Sequence, residues 1–157
     1  MKFLFFLLFV LVSCNTLDKD YVCGDDSFNL ELRTDLNKIE RRKATNKIVD
    51  AIKYNKDSNK TLVVSLKMYQ TGSLLSDSNV SSLVNVNLDV IYTVIDNKSD
   101  NVVYNGQIRL VNPANLLNIN RYTNIVEYDF SQDNLFNELS NQLRDRISIF
   151  LNSCLKK

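Results

Sequence analysis

The chain has 157 residues, with 19 lysine and arginine residues against 18 aspartate and glutamate residues, and it contains no histidine. A net charge of +1 argues against a general nucleic-acid binder, which needs a basic surface. The absence of histidine removes the commonest general base and the commonest metal ligand. Three glycines and one proline form no phosphate-binding glycine loop. We therefore expect a single domain that is not an enzyme and that holds no metal and no cofactor.

The N-terminus combines a single lysine with a short apolar run. Lys2 precedes ten consecutive apolar residues, 3–12, which are followed by Ser13 and Cys14. A helix that spans the hydrocarbon core of a membrane needs about 20 apolar residues, so this run is too short. A positive start, a short apolar core and a small residue before a break are typical of a secretory signal peptide.

The tetrapeptide Leu-Val-Ser-Cys at residues 11–14 resembles the bacterial lipobox, in which the cysteine receives lipid after cleavage of the preceding bond. The resemblance implies that Cys14 becomes the first mature residue and that its acyl chains anchor the protein to a membrane. The alternative is an ordinary signal peptide that contains a cysteine. Asn15, in place of an aspartate, is compatible with the outer membrane. We expect a signal peptide at 1–13, a tether at 14–26 and one domain at 27–157.

Two cysteines remain after Cys14, and they lie near opposite ends of the mature chain. Export would place Cys23 and Cys154 in an oxidising compartment, where they could form a disulfide. The other interpretation is that Cys154 is a small apolar residue on a helix stripe. The Cα separation that would decide between the two does not follow from sequence.

Alternating apolar and polar residues predict four strands, at residues 28–33, 62–69, 84–94 and 102–110. A polar segment at 96–101 is typical of a hairpin loop. Gly106 interrupts the apolar row of the last strand, which indicates a bulge or a close packing point. The residues predicted to form the exposed sheet face are polar, and they are Lys67, Asn85, Asn87, Asp89, Asn105, Gln107 and Arg109.

Apolar residues at three- and four-residue spacing predict two amphipathic helices. The first covers residues 35–55, with Thr34 as its N-cap and Asp35 in its first turn. Its predicted core residues are Leu36, Ile39, Ala44, Ile48, Ala51 and Ile52. Its basic polar face is either a solvated surface or a surface that faces anionic phosphates.

The second helix covers residues 132–151 and is expected to begin at Ser131 as its N-cap, after an irregular loop at 112–130. Its predicted apolar stripe consists of Leu135, Leu139, Leu143, Ile147, Phe150, Leu151 and Cys154. The element order is therefore β-α-β-β-β-α. This order predicts an α+β two-layer sandwich, with a mostly antiparallel four-stranded sheet and both helices on one face.

That order, behind a lipobox, resembles the LptE family of lipopolysaccharide-assembly lipoproteins. The resemblance covers most of the mature chain and is strongest at residues 89–96, 102–111 and 118–122 and in the closing helix. The Gly-Phe pair that often lies near the lipid cysteine in that family is missing.

The resemblance implies a lipid-anchored, non-enzymatic protein on the periplasmic side of the outer membrane. Such proteins pair with the LptD β-barrel as a plug and assist the insertion of lipopolysaccharide. Because guanidinium groups suit phosphate, Arg109 and Arg121, together with Lys67, are candidates for contacts with glycolipid phosphate. The alternative is an auxiliary lipoprotein of a lipid ABC transporter, which binds lipid or the transporter complex. A deep apolar pocket between helices and sheet would favour that alternative, and a filled core would favour the plug.

Overall fold

The computed structural model describes residues 26–72, 82–116 and 121–155. In chain order the elements are β1 (Asn29–Thr34), α1 (Lys38–Ala51), β2 (Lys60–Thr71), β3 (Ser82–Asp96), β4 (Asn101–Leu116) and α2 (Arg121–Leu155). The predicted α+β class and element order are confirmed. The predicted signal peptide and Cys14 lie outside the described residues. So does the possible disulfide between Cys23 and Cys154, because Cys23 and the side chain of Cys154 are not described.

The four strands form one sheet in the order β1-β2-β3-β4. β1 runs parallel to β2, since α1 carries the chain across between them. The other two pairs, β2–β3 and β3–β4, are antiparallel. Both helices pack on the same face of this sheet, so the predicted two-layer arrangement is confirmed.

The core lies between the sheet and the helices. From the strands it takes the fully buried residues Leu62, Val64, Val86, Leu88 and Val94. From the helices it takes the fully buried residues Ala44, Ile48, Phe136, Leu139 and Leu143. Burial of this apolar surface is the main stabilising contribution to the fold. The predicted stripe of the second helix is thus correct where its side chains are described, and Phe136 is an addition to it.

The first residues of the domain, Ser27 and Phe28, are buried and hydrogen-bonded to the rest of it. Phe28 is fully buried, its N–H donates to the carbonyl of Lys53 at 2.9 Å, and its own carbonyl accepts from the N–H of Asn55 at 2.9 Å. The preceding residue, Ser27, is also buried, and its carbonyl accepts a hydrogen bond from the Ser58 hydroxyl at 2.7 Å. The chain is therefore fixed to the domain from Ser27 onward.

α1 begins three residues later than predicted, and its N-cap is Asn37. The Asn37 Oδ1 accepts from the N–H groups of Ile39 and Glu40 at 3.0 Å each, and Glu40 Oε2 accepts from the Asn37 N–H at 3.2 Å. This reciprocal pair is a capping box. Thr34 is instead the last residue of β1, where its Oγ1 accepts from the N–H of Leu36. The predicted Thr34 cap is wrong because a second capping residue follows closely.

Ile39 was predicted to be in the core, but its side chain is 72% exposed. The buried residues of α1 are Ala44, Ile48 and Ala51. Successive helical residues are about 100° apart, which places Ile39 about 140° from Ala44 around the axis. Ile39 therefore faces away from the sheet.

The predicted loop at 112–130 is also wrong, because β4 continues to Leu116 and α2 already begins at Arg121. Pro113 fits within β4 because β4 is an edge strand, where a missing N–H donor is tolerated. Ser131 is not an N-cap but a buried residue inside α2, and its hydroxyl donates to the Pro113 carbonyl at 3.1 Å. This bond ties the long helix to the edge strand.

Gly106 lies opposite Tyr92 in the register of β3 and β4. A Cβ atom built on Gly106 would be 2.2 Å from the hydroxyl oxygen of Tyr92. Tyr92 is itself buried, and burial, with a hydrogen bond to Tyr104, raises the pKa of its hydroxyl to about 12. The predicted close packing point is confirmed. The irregularity in the β3–β4 register lies elsewhere, between Val94 and Ile95.

Replacing Gly106 with alanine is expected to lower the free energy of unfolding by about 1–3 kcal/mol, because the new methyl group overlaps the buried Tyr92 ring. Urea unfolding measures the change. Asn105→Ala, at the neighbouring exposed position, is the control and should stay within about 0.5 kcal/mol of the parent. Equal stabilities for the two variants would mean that the Tyr92 ring moves aside without cost.

Candidate binding surface on the sheet

The sheet face opposite the helices carries two of the three predicted contact residues. We call it the outer sheet face; its central residues are Lys67, Tyr69, Asp89, Ile91, Gln107, Arg109 and Val111. Lys67 on β2, Asp89 on β3 and Arg109 on β4 lie in register and form one row across the three strands. The structure therefore brings Lys67 and Arg109 to the same row, with a carboxylate between them.

Asp89 accepts hydrogen bonds from both neighbouring strands, β2 and β4. Its Oδ1 accepts from Arg109 Nε at 2.8 Å, and its Oδ2 accepts from the Tyr69 hydroxyl at 3.2 Å. The hydrogen bond to Asp89 raises the pKa of the Arg109 guanidinium. Because the Arg109 side chain is 74% exposed, the pair contributes little to stability. Its main effect is to orient the guanidinium and to reduce the positive charge of the row.

Asn87 was predicted to be part of the exposed polar face, but its side chain is buried. Its amide nitrogen donates to the Thr71 hydroxyl at 2.9 Å and to the carbonyls of Asn85 and Tyr69 at 3.1 and 3.4 Å. A buried amide needs such partners. Asn87 therefore joins the ends of β2 and β3, a structural role that an alternating pattern does not reveal.

The outer sheet face is also less polar than predicted. Ile91, in the middle of β3, is 60% exposed, and Val111 on β4 is likewise exposed. Ile91 lies next to the Asp89 row and is in register with Ser65 and Gln107. A small apolar centre with a polar and charged rim is the usual composition of a protein contact surface.

The third predicted contact residue, Arg121, is the first residue of α2. Its side chain lies outside the described side chains, so its predicted role stays a prediction. The sheet residues themselves offer donors on Lys67 and Arg109, an acceptor on Asp89 and an apolar contact on Ile91. This set can bind another molecule through polar and apolar contacts.

Two further observations concern the described ranges 26–72, 82–116 and 121–155 alone. Within them, histidine, cysteine, aspartate and glutamate side chains form no group of three or more that could hold a metal ion. No helix in the same ranges has both the length and the apolar character needed to cross a membrane.

Comparison with known proteins rests on the fold, since no protein-family model and no curated protein sequence matches the chain. The solution structure of an uncharacterised lipoprotein B from Nitrosomonas europaea matches with a TM-score of 0.61 at 12% identity, over 83% of this chain and 87% of that chain. The fold recurs in bacterial lipoproteins.

Two further structures extend the comparison. A protein of Caulobacter crescentus assigned as a lipoprotein matches with a TM-score of 0.60 at 14% identity, over 88% of this chain and 96% of that chain. Rare lipoprotein B from Shewanella oneidensis matches with a TM-score of 0.50 at 17% identity, over 81% of this chain and 94% of that chain. The coverage means that the whole domain fold is shared. At these identities the likeness concerns the fold alone.

Proposed function

We propose that the protein is a lipid-anchored outer-membrane lipoprotein of the LptE type. In this role it pairs with an LptD-type β-barrel from the periplasmic side and assists the insertion of lipopolysaccharide. One observation carries the proposal: a lipobox cysteine, Cys14, precedes a domain whose fold recurs in bacterial lipoproteins, among them a rare lipoprotein B. The role is binding and assembly, without catalysis.

The outer sheet face supports a protein partner of this kind. The lumen of an outer-membrane barrel is polar, and the face presents donors and acceptors around Lys67, Asp89 and Arg109. Ile91 adds an exposed apolar contact at the centre of the face. A sheet face that carries mostly polar side chains and one apolar contact fits the mainly polar inner wall of such a barrel.

The filled core favours this role over the alternative of a lipid-binding auxiliary lipoprotein. A lipid pocket between the layers would need apolar side chains that line an open space. Here Leu62 and Leu88 of the sheet and Phe136, Leu139 and Leu143 of α2 are fully buried between the layers. Their packing supports a protein-binding role for the surface of the domain.

Arg109 is the outer-face residue best suited to a lipopolysaccharide phosphate. A guanidinium has five N–H donors, and Asp89 uses the one on Nε. The exposed remainder of the Arg109 side chain would donate its Nη hydrogens to phosphate. Lys67, in register with Asp89 on the other side, would supply a second positive charge.

Affinity purification of the tagged full-length protein from detergent-solubilised total cell membranes, inner and outer, tests the pairing. We expect a large β-barrel protein to co-purify in equal amount. Ile91→Glu, which places a charge at the centre of the outer sheet face, should reduce its recovery by more than about tenfold. Ile149→Glu is the matched control, because Ile149 is 57% exposed but lies on α2 in the helix layer.

Recovery of the folded protein without any barrel would contradict the proposal. Co-purification of an inner-membrane lipid transporter instead would favour the auxiliary-lipoprotein alternative. Equal barrel recovery with Ile91→Glu and Ile149→Glu would leave the pairing in place but exclude the outer sheet face as its surface.

A further inference from the structure

The sheet has two edge strands, β1 and β4, and β4 is the longer, with 16 residues against six. In an antiparallel pair, the N–H and C=O groups of one residue point in the same direction, and this direction alternates along the strand. Every second residue of an edge strand therefore directs its backbone groups away from the sheet. Unpaired groups of this kind are a template for the addition of another strand.

Pro113 shows which residues of β4 face the free edge. Proline has no N–H to donate to β3, and the Pro113 carbonyl accepts from the Ser131 hydroxyl of α2 at 3.1 Å. The backbone groups of Pro113 therefore point away from β3. The residues at every second position before it share this direction, and we call their N–H and C=O groups the free β4 edge. These residues are Asn105, Gln107, Arg109 and Val111.

The free β4 edge has a defined length. At one end it stops at Pro113, which has no donor. At the other end the register of β3 and β4 is irregular between Val94 and Ile95, and Tyr104 lies opposite Val94. Prolines and register irregularities both end strand pairing. The stretch between them, residues 105–111, has room for a strand of about seven residues.

This edge is open to water. Within the described ranges, no other backbone group and no side chain bonds to the free β4 edge. The side chains of its four residues are also exposed. Arg109 is the one charged residue between positions 104 and 112 in the sequence, whereas protected edges usually carry charged side chains such as lysine. The free β4 edge therefore lacks the usual protection against strand addition.

β1, the other edge strand, is protected by side chains. The Leu30 N–H donates to Asn29 Oδ1 at 2.9 Å, and the Leu32 carbonyl accepts from Arg41 Nη2 at 3.4 Å. Two of the six residues of β1 are charged. The chain thus satisfies backbone groups on one edge of its sheet and leaves those on the other edge open.

We propose that an extended segment of the partner protein adds to the sheet at the free β4 edge as a fifth strand. The inference deepens the proposed function and rests on it, because the partner is the barrel that the outer sheet face contacts. Gln107, Arg109 and Val111 contribute side chains to that face and backbone groups to the free β4 edge. One partner therefore covers both. A closed barrel has no free strand edge, so the segment comes from a loop or a terminal extension of the barrel protein.

A second copy of this chain fits the edge less well than a single extended segment does. α2 runs along β4, from the bond between Ser131 and Pro113 at one end to the Phe150 ring at the other. There Phe150 stacks on Tyr104 with a centroid distance of 4.9 Å. Neighbouring strands lie about 4.8 Å apart, whereas packed helices need about 8–10 Å. If two β4 strands paired about a two-fold axis, the two α2 helices would overlap.

Proline at position 107 tests the main-chain contact. Gln107→Pro removes one N–H from the free β4 edge and leaves the pairing with β3 in place, as Pro113 does in the parent. Gln107→Ala is the matched control, because it removes the same exposed side chain and keeps the N–H. After affinity purification from total cell membranes, we expect Gln107→Pro to lower the recovery of the barrel by about tenfold, and Gln107→Ala by less than about twofold.

The outcomes separate this inference from the proposed function. Equal barrel recovery with Gln107→Pro and Gln107→Ala would overturn strand addition and leave the proposed function intact. If the parent recovers no barrel, the proposed function fails and this inference fails with it. Unchanged thermal unfolding checks that both variants fold.

Hydrogen–deuterium exchange of backbone amides is a second measurement that needs no substitution. In the purified mature protein alone, we expect fast exchange at the free β4 edge and slow exchange at Gly106, Ile108 and Leu110, whose N–H groups pair with β3. In the co-purified complex, exchange at the free β4 edge should slow by more than about tenfold. Unchanged exchange in the complex would overturn the proposal. Slow exchange at these amides in the protein alone would also overturn it, because the tether or a second copy would then cover the edge.

Discussion

Replacing Cys14 with serine is expected to remove all acyl mass from the protein and to release it from the membrane fraction. Without the thiol no diacylglyceryl group can be attached, and stable anchoring needs two or more chains. Intact-protein mass spectrometry measures the lipid, and fractionation measures the location. This is the largest effect that we expect from any single substitution, because it changes the compartment in which the domain works.

Cys23→Ser is the matched control, since Cys23 lies nine residues further along the same exported segment. We expect it to keep both the lipid mass and the membrane location. A Cys14→Ser protein that retains the lipid mass would show that the lipobox assignment is wrong. If Cys23→Ser loses the lipid mass and Cys14→Ser keeps it, the lipid is attached at Cys23 instead of Cys14.

Replacing Phe136 with alanine is expected to lower the free energy of unfolding by about 3–5 kcal/mol, which is a large share of the stability of a single domain. Phe136 is fully buried in the core between α2 and the sheet. The truncation removes apolar contacts and leaves a cavity that the neighbouring Leu139 and Leu143 side chains fill only in part. Urea unfolding with an unchanged m-value measures the loss.

Ile149→Ala on the same helix should change the free energy of unfolding by less than about 0.5 kcal/mol, since its side chain is largely in water. A small effect of Phe136→Ala would mean that the helix packs less tightly on the sheet than described. It would also weaken the argument that the core has no room for a lipid.

The strands were the part of the fold most open to prediction from sequence. In β3 the even-numbered residues Val86, Leu88, Val90 and Val94 are all buried, because a strand with one covered face repeats its apolar residues at every second position. The prediction that was wrong in the same strand is that of Asn87 as an exposed residue, because its side chain is buried. Ile91 lies among the polar outward residues, and alternation alone gives no reason for an isoleucine there.

Helix boundaries were less predictable, for two different reasons. At α1, Thr34 and Asn37 are both good capping residues, and the choice between them depends on the Glu40 side chain that completes the capping box. At α2, some of the buried residues in the first turns of the helix are polar. Ser131 bonds to Pro113, and Gln132 bonds to Glu40. Such groups are satisfied by residues distant in sequence, which a hydrophobic pattern cannot identify.

The candidate surface was predictable in part. Lys67 and Arg109 fall on outward positions of their strands, so their common face followed from alternation. That they lie in one row could not be predicted, because it depends on the register of β3 with β2 and with β4. That register places Asp89 between the two cations, and it turns a predicted anion site into a mixed surface.

Because the domain begins at the buried residue Ser27, the segment between it and the lipid anchor is short, which affects how readily the protein binds a membrane partner. With Cys14 acylated as proposed, thirteen residue steps join the lipid to the first fixed residue, a contour length of about 45 Å. The domain is thereby confined to a thin layer above the bilayer, where its effective concentration toward a membrane-embedded partner rises to roughly the millimolar range. Weak contacts through the outer sheet face would suffice there, although the same contacts would be sparsely occupied in dilute solution.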